Sequence, residues 1–220
     1  MIKIFSKRRF CKDEYIGLME IENGNWKFSR RNDYNSVFVP AENYNQACSD
    51  NVGQPIIFVL ESPHKREFLK EPISIFNSSE LCYARPAKGY TKTMFDKHVD
   101  IVFNALGVPP SPLSHPVIIV NACRFQCSLG EKIVRKNSER DKMFEILFKS
   151  DIACLNKTSL QERLKKLNPY AIVSASTKGG NPNYIIRDEV DNAINACGLL
   201  YYKAYHPAGW RDPNHRKPRP

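Results

Sequence analysis

Four segments of this chain open as apolar runs, and together they restrict the fold more than any other feature. They are PIIFVL at 55–60, PVIIVNAC at 116–123, YAIVSAS at 170–176 and LLYYKAYH at 199–206. Strands without polar alternation have both faces covered, the condition met inside parallel sheets. Helical patterns separate them. TKTMFDKHVDIVFNALG carries Met94, Phe95, Val99, Val102, Phe103 and Leu106 at helical spacing and closes on Gly107. SLQERLKKLNP reads as a short amphipathic helix with Ser159 as N-cap, stopped by Asn168-Pro169. YIIRDEVDNAINACG reads as a helix ended by Gly198. The expected fold is a three-layer α/β/α domain around a central, mainly parallel four-stranded sheet. Alternating runs about a Gly-containing turn, in YIGLMEIENGNWKFSR, predict a β-hairpin ahead of it. The reading therefore places a β-rich extension packed on the core at 1–53, and the α/β domain with a basic C-terminal tail at 54–220.

In open α/β sheets ligands bind at the carboxyl ends of the strands, so the residues that end these runs matter most. The first run stops at Glu61-Ser62-Pro63-His64, the second at Asn121, and the fourth at His206-Pro207, followed by Gly209, Trp210 and Arg211. The fold would bring Glu61, Asn121 and His206 to one rim.

The 220 residues carry 33 Lys+Arg against 23 Asp+Glu, a net charge of +10 that attracts polyanions. Basic residues gather at 6–9, at 27–31, at His64-Lys65-Arg66 and in the tail RDPNHRKPRP, with Phe10, Trp26, Phe28 and Trp210 nearby. Such a surface suits phosphates and stacked bases, although solvated charge on an ordinary basic protein gives the same count. The seven scattered cysteines suit reduced thiols, and the opening MIKIFSKRRF has no leader pattern. A cytoplasmic location is the expectation. No apolar run reaches the length of a membrane span, so no membrane partner is expected. Cys123 and Cys127 have metal-like spacing but no second pair, and no nucleotide-binding glycine motif occurs. Neither metal nor cofactor is expected.

The strand-end motifs, in this order, resemble the uracil-DNA glycosylase superfamily. LESPH matches strands of that family ending in GQDPYH or GEAPG: Glu61 falls on the Glu of GEAPG, Ser62 on the acid of GQDPYH and Pro63 on the shared proline. VIIVNACRFQC sets Asn121 on the base-reading asparagine. HPAGWR matches the HPSPLS loop, with His206 and Pro207 on its His-Pro and Trp210 on its leucine. LCYARP resembles LCFSVP and sets Tyr83 on the phenylalanine that stacks on the extruded base, although Tyr90 is an equal candidate. The resemblance spans about residues 54–213. Leu60 replaces the opening glycine, the interval from Pro63 to Tyr83 is longer than in the uracil-specific branch, and His64 replaces the tyrosine that excludes 5-substituted bases. Some relatives with GEAPG hold an iron–sulfur cluster on four cysteines. Here the N-terminal region offers only Cys11 and Cys48, so no cluster is expected.

The resemblance implies a monofunctional DNA glycosylase, and the residue types suit that chemistry. Glu61 is the carboxylate that would orient water and stabilise an oxocarbenium-like sugar, and His206 the donor to the departing base. Asn121, Tyr83, His64 and Ser62 would hold the flipped base. Trp210 would wedge into the vacated stack, with Arg211, Pro63, Pro207, Lys65 and Arg66 on the DNA. The altered 5-side implies a 5-modified pyrimidine, such as the glucosylated hydroxymethylcytosine removed by bacterial anti-phage members of the superfamily. Two alternatives stay open: a uracil-removing repair enzyme, and a non-catalytic glycosylase-like protein that binds DNA. DNA is the expected partner, and a monomer the expected state.

Overall fold

The Asn23-Gly24 pair turns the chain back on itself because both residues take positive φ, 51° and 78°, the geometry of a two-residue hairpin turn. It joins β1 (Glu14–Glu22) to β2 (Asn25–Arg30). The computed structural model describes residues 11–48, 52–63, 86, 89–125, 127, 139–150, 156–180, 183 and 185–220. After a single helical turn, α1 (Tyr44–Ala47), come β3 (Ile56–Leu60), α2 (Tyr90–Ala105) and β4 (His115–Asn121). Then follow α3 (Glu139–Phe148), α4 (Lys157–Leu167), β5 (Ala171–Ser174), α5 (Ile186–Asn195) and β6 (Tyr201–Lys203).

The strands form one sheet in the order β2-β1-β4-β3-β5-β6. From β4 to β6 every pairing is parallel, whereas β1 runs antiparallel to both β2 and β4. The sheet is therefore mixed and six-stranded, and the expected four-stranded parallel sheet with an appended hairpin is corrected. β1 is an interior strand whose first four residues are all buried. Glu14 and Gly17 among them hide this from an apolar-run criterion.

Alternation along the central strands sends side chains into two cores. Ile57, Val59, Ile118, Val120 and Ile172 pack with Phe144, Phe148, Leu160, Leu164, Val190 and Ile194 of α3, α4 and α5. Ile56, Phe58, Val117, Ile119 and Val173 pack on the opposite face with Phe95, Val99 and Phe103 of α2 and with Trp210. Helices thus cover both faces, and the apolar stripe expected for α2 is the stripe it buries.

Helix ends follow local chemistry, with one correction. The N-cap of α4 is Asn156, whose side chain accepts from the Ser159 N–H at 3.0 Å; Ser159 lies one turn inside. Both residues can cap, and the earlier one gains the bond. Asn168 closes α4 in the left-handed region, φ 45°.

The two outer strands have polar partners on their free sides. Asn104 of α2 accepts from the Trp26 N–H and donates to the Trp26 carbonyl, both at 2.9 Å. Asp100 accepts from the Phe28 N–H at 2.8 Å. At the far edge the Arg219 N–H donates to the Lys203 carbonyl at 2.9 Å, and its Nε donates to that of Ala204 at 3.1 Å. Among the described residues no helix is long and apolar enough to cross a membrane.

Gly17 of β1 pairs with Arg30 of β2, and a Cβ there would lie 2.2 Å from the Ser29 carbonyl oxygen. Backbone cannot step aside as a side-chain tip can, so Gly17→Ala is expected to cost about 1–3 kcal/mol. Urea denaturation measures it. A wild-type midpoint would mean that β1 and β2 pair in another register.

Candidate active site

At the carboxyl edge of the parallel strands, three chain segments meet around a cavity of about 640 Å³. Glu61 and Ser62 follow β3, Ser176 to Lys178 follow β5, and Tyr205 and His206 follow β6; all line it. The Glu61 backbone stays tied to the sheet, because its carbonyl accepts from the Cys123 N–H at 2.9 Å. Its carboxylate is buried. Oε2 accepts from the Thr177 N–H at 3.3 Å and lies 3.5 Å from His206 Nε2, while Oε1 lies 3.8 Å from Arg140 Nη1. Arg140 is anchored from behind, its Nε donating at 2.8 Å to the fully buried Asp141.

His206 opens a 3₁₀ turn, Pro207–Gly209, and its Nδ1 accepts from the Ala208 N–H at 3.2 Å. An accepting Nδ1 leaves the proton of the neutral ring on Nε2. The nitrogen facing Glu61 and the cavity is thus a donor without the ring having to be charged.

The other site residues from the sequence fare differently. Ser62 lines the cavity, as does Tyr90, which is 50% exposed at the start of α2. Asn121 ends β4 opposite Leu60 in the register, on the same sheet edge as Glu61. It is 1% exposed; its Nδ2 donates to Cys11 Sγ at 3.6 Å, and its Oδ1 has no hydrogen-bond partner among the described residues. It is not among the residues that line the cavity. His64, Lys65, Arg66 and Tyr83 lie outside the described residues.

Trp210 is corrected from an exposed wedge to a core residue. It is fully buried, stacks on Phe95 at 5.7 Å between ring centroids, and its Nε1 donates to the Tyr205 carbonyl at 2.7 Å. A tryptophan beside the end of a core strand gains more from burial than from water. Pro63 and Pro207 are buried too, so neither presents a surface to DNA, whereas Arg211 is exposed.

The basic cluster at 27–31 is likewise engaged internally. Lys27 pairs with Asp100 at 2.9 Å, Arg30 pairs with Asp96, and Arg31 pairs with Asp33 at 3.1 Å. Trp26 is buried and Phe28 partly so. They pack against neighbouring rings, Trp26 on Phe103 and Phe28 on Phe95. This segment ties β2 to α2 and is not a free phosphate-gripping face.

The sequence reading missed Arg140, Thr177, Lys178, Arg187, Tyr205, His215 and Arg219 as cavity residues. One signal was present: the hydroxyl- and glycine-rich stretch SASTKGG follows a core strand at the edge where ligands bind. Arg140 and Arg187 arrive from helices with no local signal, whereas His215 and Arg219 belong to the basic tail RDPNHRKPRP. Among the described residues no group of three or more potential metal ligands comes together. Cys123 and Cys127 are buried with their sulfurs 3.8 Å apart. The hydrogen bond from Cys127 lowers the thiol pKa of Cys123. No family model, curated protein or solved structure matches this chain.

Trp210→Ala would empty a fully buried indole site and free the Tyr205 carbonyl next to His206. A loss of about 3–5 kcal/mol is expected, read by chemical denaturation. A stability change within experimental error would show the indole on the surface in solution.

Proposed function

We propose that this chain is a monofunctional DNA glycosylase that hydrolyses the N-glycosidic bond of a flipped, 5-modified pyrimidine and leaves an abasic site. The observation that carries the reading is the meeting of Glu61 and His206 Nε2, 3.5 Å apart, on the wall of a cavity at the carboxyl edge of a parallel sheet. Strand-end motifs far apart in sequence, each resembling the glycosylase superfamily, supply these two residues. Hydrolysis needs a donor for the charge that develops on the base and a carboxylate for water and sugar. His206 is the donor, because the Ala208 N–H holds its Nδ1 as acceptor. Glu61 is the carboxylate, aimed by the Thr177 N–H.

In the free protein Glu61 Oε2 and His206 Nε2 face each other 3.5 Å apart, and substrate would take the Nε2–H of His206. Once that contact is exchanged, Glu61 Oε2 is free to accept from the attacking water. Ser62 beside them, and Tyr90 or Tyr205 on the walls, provide a hydroxyl and aromatic faces for the base. Asn121 is the residue to which the resemblance would assign base reading, and its Oδ1 has no hydrogen-bond partner among the described residues.

A cleft of about 640 Å³ falls within the range of small-ligand sites. The replacement by His64 of the tyrosine that excludes 5-substituted bases in the family it resembles supports a bulky 5-substituent, with glucosylated hydroxymethylcytosine in phage DNA as the specific substrate proposed. The chain would then act in defence against invading DNA.

Glu61→Gln and His206→Ala are each expected to slow single-turnover excision by at least ~10²-fold while leaving DNA binding intact. The assay compares phage DNA with glucosylated cytosines, the same DNA with plain cytosine, and a uracil-containing oligonucleotide, using alkali to break abasic sites. Cutting confined to uracil would replace the substrate assignment with the repair reading. Full activity of Glu61→Gln would remove Glu61 from the chemistry, and the absence of cutting on every substrate would end the enzymatic reading.

A further inference from the structure

Glu61 is the only acidic residue among the described residues that line the cavity, which also carries Arg140, Lys178, Arg187 and Arg219. Two of these cations are balanced from behind, Arg140 by Asp141 at 2.6 Å and Arg219 by Asp191 at 3.0 Å. The other two are not. Lys178 has no ion-pair partner among the described residues. Among the described residues Arg187 meets only its neighbour Asp188, at 3.6 Å, and its buried Nε makes no hydrogen bond. Ser176, on the same connection between β5 and α5, is 2% exposed, and its Oγ has no hydrogen-bond partner among the described residues.

A buried hydroxyl without a partner and an under-satisfied guanidinium are costly in a folded chain unless something else completes them. A partner that accepts hydrogen bonds and carries negative charge would complete these groups and offset Lys178 as well. A tetrahedral oxyanion does both, since it can accept from Ser Oγ, from a guanidinium edge and from an ammonium at once. Glu61 repels it from its own end of the cavity.

We propose that Ser176, Lys178 and Arg187 form a binding site for a phosphate-class oxyanion on the ligand. The ligand is then bipolar: an anionic group is held by the β5–α5 connection, and a second, reactive part reaches the Glu61–His206 pair. Only the step from this anion to a group on DNA rests on the glycosylase reading. There the anion is either a backbone phosphate next to the flipped nucleotide or, where the base is not the uncharged glucosylated cytosine, an acidic group on the modified base.

The primary test is calorimetric titration of the full chain with inorganic phosphate at constant ionic strength. Saturable one-to-one binding is expected, weakened on the order of tenfold by Arg187→Met and by Lys178→Met and measurably by Ser176→Ala. Lys178 is exposed and Arg187 partly so, and thermal melting verifies that the variants fold. Absence of saturable binding, or binding that the two cation substitutions leave unchanged, overturns the site. A second arm uses an abasic oligonucleotide in which one linkage at a time is a neutral methylphosphonate. A loss of affinity in the wild type that disappears in Arg187→Met identifies the backbone phosphate as the occupant. No loss at any linkage, with phosphate still bound, identifies an acidic group on the base. Neither arm requires excision, so a protein that cuts no DNA can still bind phosphate here, and an active glycosylase can still fail this test.

Discussion

β3 has no free side and no free face. It is hydrogen-bonded in register to β4 on one side and β5 on the other, and all five of its residues are buried. A one-residue slip would exchange the side chains sent to the two cores, so the strand has one acceptable position. Glu61 is the next residue, and its carbonyl extends the ladder to β4 before the chain departs. A carboxylate placed in this way can meet a histidine about 145 residues further along only because β6 is also fixed to the sheet, through β5. The site inherits its precision from packing that does no chemistry, the arrangement expected when reactive groups stand on rigid elements.

The excess positive charge is divided between two uses. Around β2 it is spent on architecture: Lys27 and Arg30 are bound to Asp100 and Asp96 of α2, and Arg30 also lies over the Tyr34 ring at 4.2 Å. Around the cavity part of it stays under-compensated, at Lys178 and Arg187. A count of Lys and Arg cannot separate these uses, because partners distant in sequence decide which charges remain available to a ligand.

The same distinction explains what the sequence allowed to be read. The β3 and β4 runs, the stripe of α2 and the Asn23-Gly24 turn were legible because each is governed by local chemistry or by burial on both faces. β1 was not legible as an interior strand, since Glu14 is buried there near Arg31, 3.9 Å away, through a contact no local pattern shows. α3 went unread because Arg140 and Asp141 occupy its buried face and blur its amphipathic pattern. Those two residues stand behind Glu61, so the local rule failed where the candidate site needed it to fail. Glu61 and His206, expected on one rim, lie 3.5 Å apart because each directly follows a strand of the parallel sheet or its short extension. Trp210 was misplaced because its glycine and arginine neighbours say nothing of Phe95, which lies far away in the chain.

The polar contacts along the two outer strands have a consequence for how this protein meets other chains. An uncovered strand is a template on which a foreign segment can add itself, and the result is oligomers or fibres. At β2 the side chains of Asn104 and Asp100 occupy backbone positions that an incoming strand would seek, and at β6 the Arg219 segment does the same. The sheet is terminated at both ends by its own chain. A peptide that binds by strand addition would have to compete with these intramolecular bonds, so recognition is directed to the strand ends, where the cavity opens.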